Sequence, residues 1–278
     1  MLQGPFGVIG LGLIGGSIAR ALKKLNPTAT LLAFETDPQR RALAQGIGIQ
    51  AHEAIGLEVS QCQTIFLCLP VGVLESGLEA LKAHIFRGAL LIDVCGVKVY
   101  AAELIGKILP GIAYVGTHPM AGGKEQGFEH SRADLFKGFP VAVCPSNTAR
   151  QVLTESVIEF WKSLEAKPLL LEATEHDQQV AFTSHLPYIS ALALVGLLEP
   201  ETTSLAGRGL LAAARQASFA PGIMADTVCR NPYLADAVKK LMDELQRLYD
   251  ILRAEPGALK QMAFARQRHM EAVTKNLQ

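Results

Sequence analysis

The sequence predicts a doubly wound α/β sheet followed by an all-helical domain, and three observations carry that expectation. Up to about Glu172, short apolar or β-branched runs alternate with amphipathic stretches, the pattern of buried parallel strands joined by helical crossovers. After Ala173 the strand signals stop and helical patterns run to the end of the chain. A glycine-rich turn separates the first apolar run from the first helical stretch. The expected division is therefore 1–172 for the α/β domain and 173–278 for the helical one.

The elements follow in order. "FGVIG", "LLAF", "TIFLCLP", "ALLIDVC" and "IAYVGTHP" each read as a buried strand, with helices expected over Ile14–Leu25, Gln39–Gln45, Val73–Ala83 and Val99–Ile108. "PVAVCP", a helix over Ala149–Leu164 and "KPLLLE" extend the sheet. Beyond it, helices are expected over Thr174–Leu198, Thr202–Ala217, Pro221–Arg230, Leu234–Leu252 and Pro256–Lys275. Pro221, Pro232 and Pro256 mark their boundaries, since proline suits a first helical turn and breaks an interior.

Composition narrows the function. Lysine plus arginine and aspartate plus glutamate both number 26, so the zero net charge gives no pull toward nucleic acid or an anionic membrane. Five scattered cysteines (Cys62, Cys68, Cys95, Cys144 and Cys229) form no CxxC pair, which points to a reducing, cytoplasmic setting and away from a metal site. The N-terminus lacks the basic region of a signal peptide. The apolar run Val180–Leu198 contains His, Pro and several hydroxyls, so a helix buried between subunits fits it better than a membrane span. A homodimer is the expected assembly.

The glycine-rich turn carries the first chemistry. "VIGLGLIGGS" spaces Gly10, Gly12 and Gly15 as G-x-G-x-x-G between a strand and a helix, the context of a Rossmann-type dinucleotide site. The first glycine permits the tight turn, the second lets backbone approach a pyrophosphate, and the third lets helix pack on strand. Glu35 ends the second strand about twenty residues on, where an acid binds the adenosine ribose diol. Asp37 adds a second negative charge that would repel a 2′-phosphate, so NAD is expected rather than NADP. The cofactor-binding set is Gly10, Leu11, Gly12, Leu13, Ile14, Gly15, Glu35, Leu69, Pro70 and Cys95.

His118 is the second. It stands at the C-terminal end of the fifth expected strand, where such sheets bind ligands, with Pro119 stiffening the chain and Gly122–Gly123 leaving room. Imidazole suits a base that draws a proton from an alcohol during hydride transfer. The competing reading is a turn histidine bonded to backbone.

"THPMAGGKEQGFEHSRADLF" resembles the HPxAG segment of the prephenate and arogenate dehydrogenases, the TyrA family. "DVCGVK" (93–98) is similar to that family's segment after strand four, and "EHDQQVAFTSHLP" (175–187) to the first helix of its second domain. The resemblance spans Gly10 to Pro187. It implies NAD-dependent oxidative decarboxylation of a 4-hydroxycyclohexadienyl ring in tyrosine biosynthesis: prephenate to 4-hydroxyphenylpyruvate, or arogenate to tyrosine. It assigns His118 as catalytic, and His185 and Gly96 as substrate-binding.

Two departures qualify it. Gly96 stands where many members have a serine that assists the histidine. In "ASFAPGIMADTVCRNP" (217–232), Met224 or Asp226 falls where the family has a carboxylate-clamping arginine. Arg230, one turn beyond Asp226, is the candidate clamp, against an equal reading as a helix-capping arginine. Arg208 and Arg215 are further candidates, while Lys98 and Lys124 read as solvated surface lysines. A TyrA-like dehydrogenase of another cyclohexadienyl substrate therefore stays open, as does a dinucleotide-binding protein without catalysis.

Overall fold

The computed structural model describes residues 2–122, 125–199, 201, 203–254 and 256–275. Gly123, Lys124 and Thr202, each named above, lie outside the described residues.

The strands are β1 (Phe6–Ile9), β2 (Leu31–Phe34), β3 (Gln50–His52), β4 (Thr64–Leu67), β5 (Leu90–Asp93), β6 (Ala113–Pro119), β7 (Pro140–Pro145) and β8 (Lys167–Leu170). They form one sheet in the order β3-β2-β1-β4-β5-β6-β7-β8, parallel throughout except for the antiparallel pair β6 and β7. The order reverses between β1 and β4, so the strand ends open a crevice there. The helices that cover this sheet are α1 (Leu13–Leu25), α2 (Pro38–Gln45), α3 (Leu74–Lys82), α4 (Val99–Ile108) and α5 (Gln151–Ser163).

Alternation along each strand sends its side chains to two separate cores. Val8, Phe66, Ile92, Val115 and Val143 pack against Ile18 and Leu22 of α1 and Val157, Phe160 and Trp161 of α5. Ile9, Leu67, Leu91 and Tyr114 meet Leu74, Leu78 and Leu81 of α3 and Leu104, Ile105 and Ile108 of α4. Because both faces are covered, the central strands read as continuous apolar runs. The edge strand β3 does not. It is three residues long and only half-buried at best, so no apolar run announces it. "IAYVGTHP" is consequently the sixth strand, not the fifth.

The helical part differs from expectation first at a break. The run expected as a single helix is α6 (Ala173–Val180), a π-helical turn at Ala181–His185, and α7 (Leu186–Gly196). Pro187 has no N–H to give the preceding turn, and the wider π turn absorbs that loss. Next come α8 (Arg208–Ala214), starting later than expected after the extended Gly207, and α9 (Pro221–Val228). Two long helices follow, α10 (Leu234–Ala254) and α11 (Pro256–Lys275), bridged by the ion pair of Glu244 with Arg266.

By compactness the chain forms two units, Met1–Pro232 and Tyr233–Gln278. The first holds the sheet, α1–α9 and every expected site residue. Among the described residues no helix is long and apolar enough to cross a membrane.

Candidate active site

The glycine loop between β1 and α1 is built for close approach. Gly10 has φ of +89°, a left-handed conformation, and a β-carbon there would lie 2.7 Å from the Cys68 carbonyl oxygen. A β-carbon on Gly15 would stand 2.0 Å from the Gly10 carbonyl oxygen, so only glycine lets α1 pack this near the strand. Over Gly12 the space is open, with no atom within 4 Å of the corresponding position. That combination fits a pyrophosphate laid across Gly12 toward the N-terminus of α1, whose first turn is Leu13, Ile14 and Gly15.

Glu35 follows β2 and is turned into this loop. One carboxylate oxygen accepts the Leu11 N–H at 2.8 Å and the other the Asp37 N–H at 2.9 Å. Asp37 caps α2, accepting from Gln39 N at 2.8 Å and Arg40 N at 3.1 Å. The Arg40 guanidinium lies 3.9 Å from Glu35 and 3.8 Å from Asp37, so it partly offsets the two acids. Leu69 packs against Gly10, Pro70 is exposed beside it, and the buried Cys95 places its sulfur 3.9 Å from the Leu69 carbonyl.

His118 sits near the end of β6, paired in register with Ala142 of β7. Its Nδ1 lies 2.9 Å from Nε2 of His176, and Nδ1 of His176 lies 2.7 Å from the Asp177 carboxylate. Both residues belong to α6, and both are buried. The Asp177 oxygens also accept the N–H groups of Lys98 at 2.8 Å and Val99 at 2.9 Å, capping the start of α4. Sequence reasoning missed His176 and Asp177 as site residues, although they lie within the "EHD" of a quoted motif.

Lys98 corrects an expectation. It is fully buried, not a solvated surface lysine: its ammonium meets Asp93 at 2.5 Å and donates to the Thr117 carbonyl at 2.7 Å. Asp93 also accepts from Tyr114 Oη and from Cys95 N, both at 2.7 Å. Every partner of this buried pair is therefore polar and placed, as an interior ion pair requires. Burial first, then the neighbouring His176, Lys98 and His185, hold the His118 imidazole well below its ordinary pKa, so the ring is neutral.

Of the remaining candidates, Gly96 and His185 lie beside that ring. A β-carbon on Gly96 would lie 3.7 Å from His118 Nε2 but only 2.9 Å from Thr227 Cγ2 of α9. Gly96 thus lets Thr227 of α9 approach beside His118, and a serine there would need Thr227 to yield. Asp226, one residue earlier, meets Gly72 beyond β4. His185 ends the π turn, buried, with Nδ1 3.0 Å from Asn231 Nδ2; burial pushes its pKa down to about 4. Arg230 pairs with Asp226 at 3.0 Å and lies 5.2 Å over the Tyr100 ring, while Arg208 and Arg215 are exposed. No cluster able to hold a metal ion occurs among the described residues.

Known proteins resemble the chain in both sequence and fold. The family model for the prephenate dehydrogenase nucleotide-binding domain matches residues 18–170, and that for the prephenate dehydrogenase dimerization domain matches 172–264. The chain is 28% identical over 262 residues to a cyclohexadienyl dehydrogenase of Zymomonas mobilis, covering 90% of this chain and 89% of that protein. It is 29% identical over 254 residues to a prephenate dehydrogenase of Bacillus subtilis, covering 88% and 68%. Its fold matches a crystal structure of Aquifex aeolicus prephenate dehydrogenase in complex with hydroxyphenyl propionate and NAD+, with a TM-score of 0.87, 22% identity, and 98% and 99% of the two chains covered.

Proposed function

The chain belongs to the prephenate dehydrogenase family, and from that premise we propose that it oxidatively decarboxylates prephenate or arogenate with NAD as acceptor. That it is an NAD(P)-dependent oxidoreductase follows from the family; the substrate and the choice of NAD are our reading. The observation that carries it is the neutral His118, anchored through Nδ1 at the end of β6, with Nε2 beside Gly96.

The nicotinamide, when bound, supplies the hydride acceptor. His118 takes the proton of the ring hydroxyl as hydride leaves the same carbon. The resulting dienone loses its carboxylate as carbon dioxide, and the electrons of that bond enter the ring. The proton held on His118 then returns to the phenolate oxygen, so the base is regenerated. Gly10, Gly12 and Gly15 would hold the pyrophosphate, and Glu35 the adenosine ribose. Glu35 and Asp37 support NAD over NADP through their negative charge.

A second reading concerns the substrate arm. Asp226, at one of the two positions where the resemblance puts the clamping arginine, forms an ion pair with Arg230 at 3.0 Å. Charge of both signs suits an arm bearing ammonium and carboxylate, which favours arogenate over prephenate. Following NADH absorbance with each compound tests both levels. Turnover of neither compound refutes the function, and a kcat/KM higher for prephenate refutes the arogenate preference.

We read the assembly as a homodimer. Large apolar side chains of α7 and the following segment, among them Leu192, Val195, Leu197 (78% exposed) and Leu205 (95% exposed), are uncovered within the single chain.

A further inference from the structure

A neutral imidazole has two tautomers, and only one leaves Nε2 of His118 free to accept a proton. The neighbours of His118 decide between them by proton counting. The Asp177 carboxylate can only accept, and it already takes the Lys98 and Val99 N–H groups. At 2.7 Å from it, His176 Nδ1 therefore carries a proton. In the neutral His176 ring, Nε2 then holds a lone pair, 2.9 Å from His118 Nδ1. One proton must lie between those nitrogens, and it belongs to His118 Nδ1. Nε2 of His118, the nitrogen beside Gly96, is left with the lone pair. The rings meet edge to face at 69°, so the contact is a directed hydrogen bond, not a stack.

We propose that His176 and Asp177 are positioning residues: they fix His118 in the tautomer whose Nε2 is the base. The step balances without another reactant. The hydroxyl proton bonds to Nε2, and the new imidazolium shares its Nδ1 proton with His176 Nε2. A shift of that proton onto His176 would set the cation directly against the Asp177 carboxylate. The other charged or titratable groups around the ring are Lys98, paired with Asp93, and His185, paired with Asn231.

The inference rests on His118 being the base of the reaction proposed above, but the tautomer is measurable without turnover. Enzyme labelled with 15N-histidine is examined by long-range 15N–1H NMR at neutral pH, the His118 ring being identified by its loss in His118→Asn. The expected ring is protonated on Nδ1 and bare on Nε2. His176→Asn keeps a donor to Asp177 but removes the acceptor for His118. The tautomers should then mix, and kcat should fall by about 10²-fold, the low end of what a positioned base contributes. His176→Gln presents an amide oxygen near the lost Nε2. It should restore the tautomer and recover about tenfold in kcat, the worth of one hydrogen bond. The assignment is overturned by a wild-type His118 protonated on Nε2, by an Asn variant that keeps either the tautomer or the rate, or by a Gln variant no faster than Asn. The wild-type spectrum decides even if a variant fails to fold. A correct tautomer in an enzyme inert to both substrates would sink the proposed reaction and leave the hydrogen-bond chain intact.

Discussion

Replacing Lys98 by Met should be among the costliest single changes in this protein. The side chains are close in length, and the site is sealed: Lys98 and Asp93 are 1% and 0% exposed, with nitrogen and oxygen 2.5 Å apart. Methionine fills the channel but leaves the Asp93 carboxylate buried without its cation, and the Thr117 carbonyl without the donor it had at 2.7 Å. Tyr114 and Cys95 N would remain as the donors to Asp93. Removing one partner of a buried pair costs about 3–5 kcal/mol, against a total stability of about 5–15 kcal/mol. In urea this should lower the unfolding midpoint by about 1–2 M, taking a slope near the top of the usual 1–3 kcal/mol/M. The double variant Asp93→Asn with Lys98→Met tests the cause. Asparagine can accept from Cys95 N and donate to the Tyr114 oxygen, so it should return about 2 kcal/mol or more. A single variant with an unmoved midpoint, or a double variant as weak as the single, would show that charge pairing is not what Lys98 supplies.

Four further outcomes are expected. His118→Asn should lower the rate of hydride transfer by about 10²- to 10⁴-fold, while calorimetry shows NAD binding unchanged; near-normal turnover would make the histidine structural. Because burial, His176, Lys98 and His185 all disfavour the protonated ring, the acid limb of kcat/KM should fall below the ordinary imidazole pKa of 6.5. Activity should persist below that pH and be lost only as the lowered pKa is crossed, and a limb above 6.5 in the pH–rate profile contradicts this. Glu35→Ser combined with Thr36→Arg should move cofactor preference toward NADP, an idea that fails if the wild type already turns over NADP better than NAD. Light scattering should find a dimer at micromolar concentration, and a stable monomer defeats the assembly.

The sequence made the scaffold and half of the candidate site legible. Parallel strands buried on both faces must be apolar throughout, so β1, β2, β4, β5 and β6 stand out, and the glycines are spaced by a turn that is local. His118 was visible because a strand end, a proline and an open loop meet within a few residues. Lys98 was misread because its partners are distant in sequence or invisible in it, although a lone lysine after "DVCGV" was a signal that a charge had been carried inward. His176 and Asp177 opened a helix as ordinary polar residues. Their partners lie 58 and 79 residues away, and no local pattern encodes a carboxylate that caps a different helix. The π turn was hidden for the opposite reason: apolar character continues through it, and only Pro187 marked the change of backbone register.

Asp177 has a consequence for how this enzyme can be cut and recombined. Its carboxylate holds the first turn of α4 and the ring of His176 at once, across the border between the two family segments. A chimera that joins residues 1–171 of this chain to the second segment of a relative would splice the proposed base, His118, to a foreign support. Such a hybrid could fold and bind cofactor yet turn over slowly, unless residues 173–185 travelled with the sheet. The working module for exchange is therefore the sheet together with α6 and the π turn.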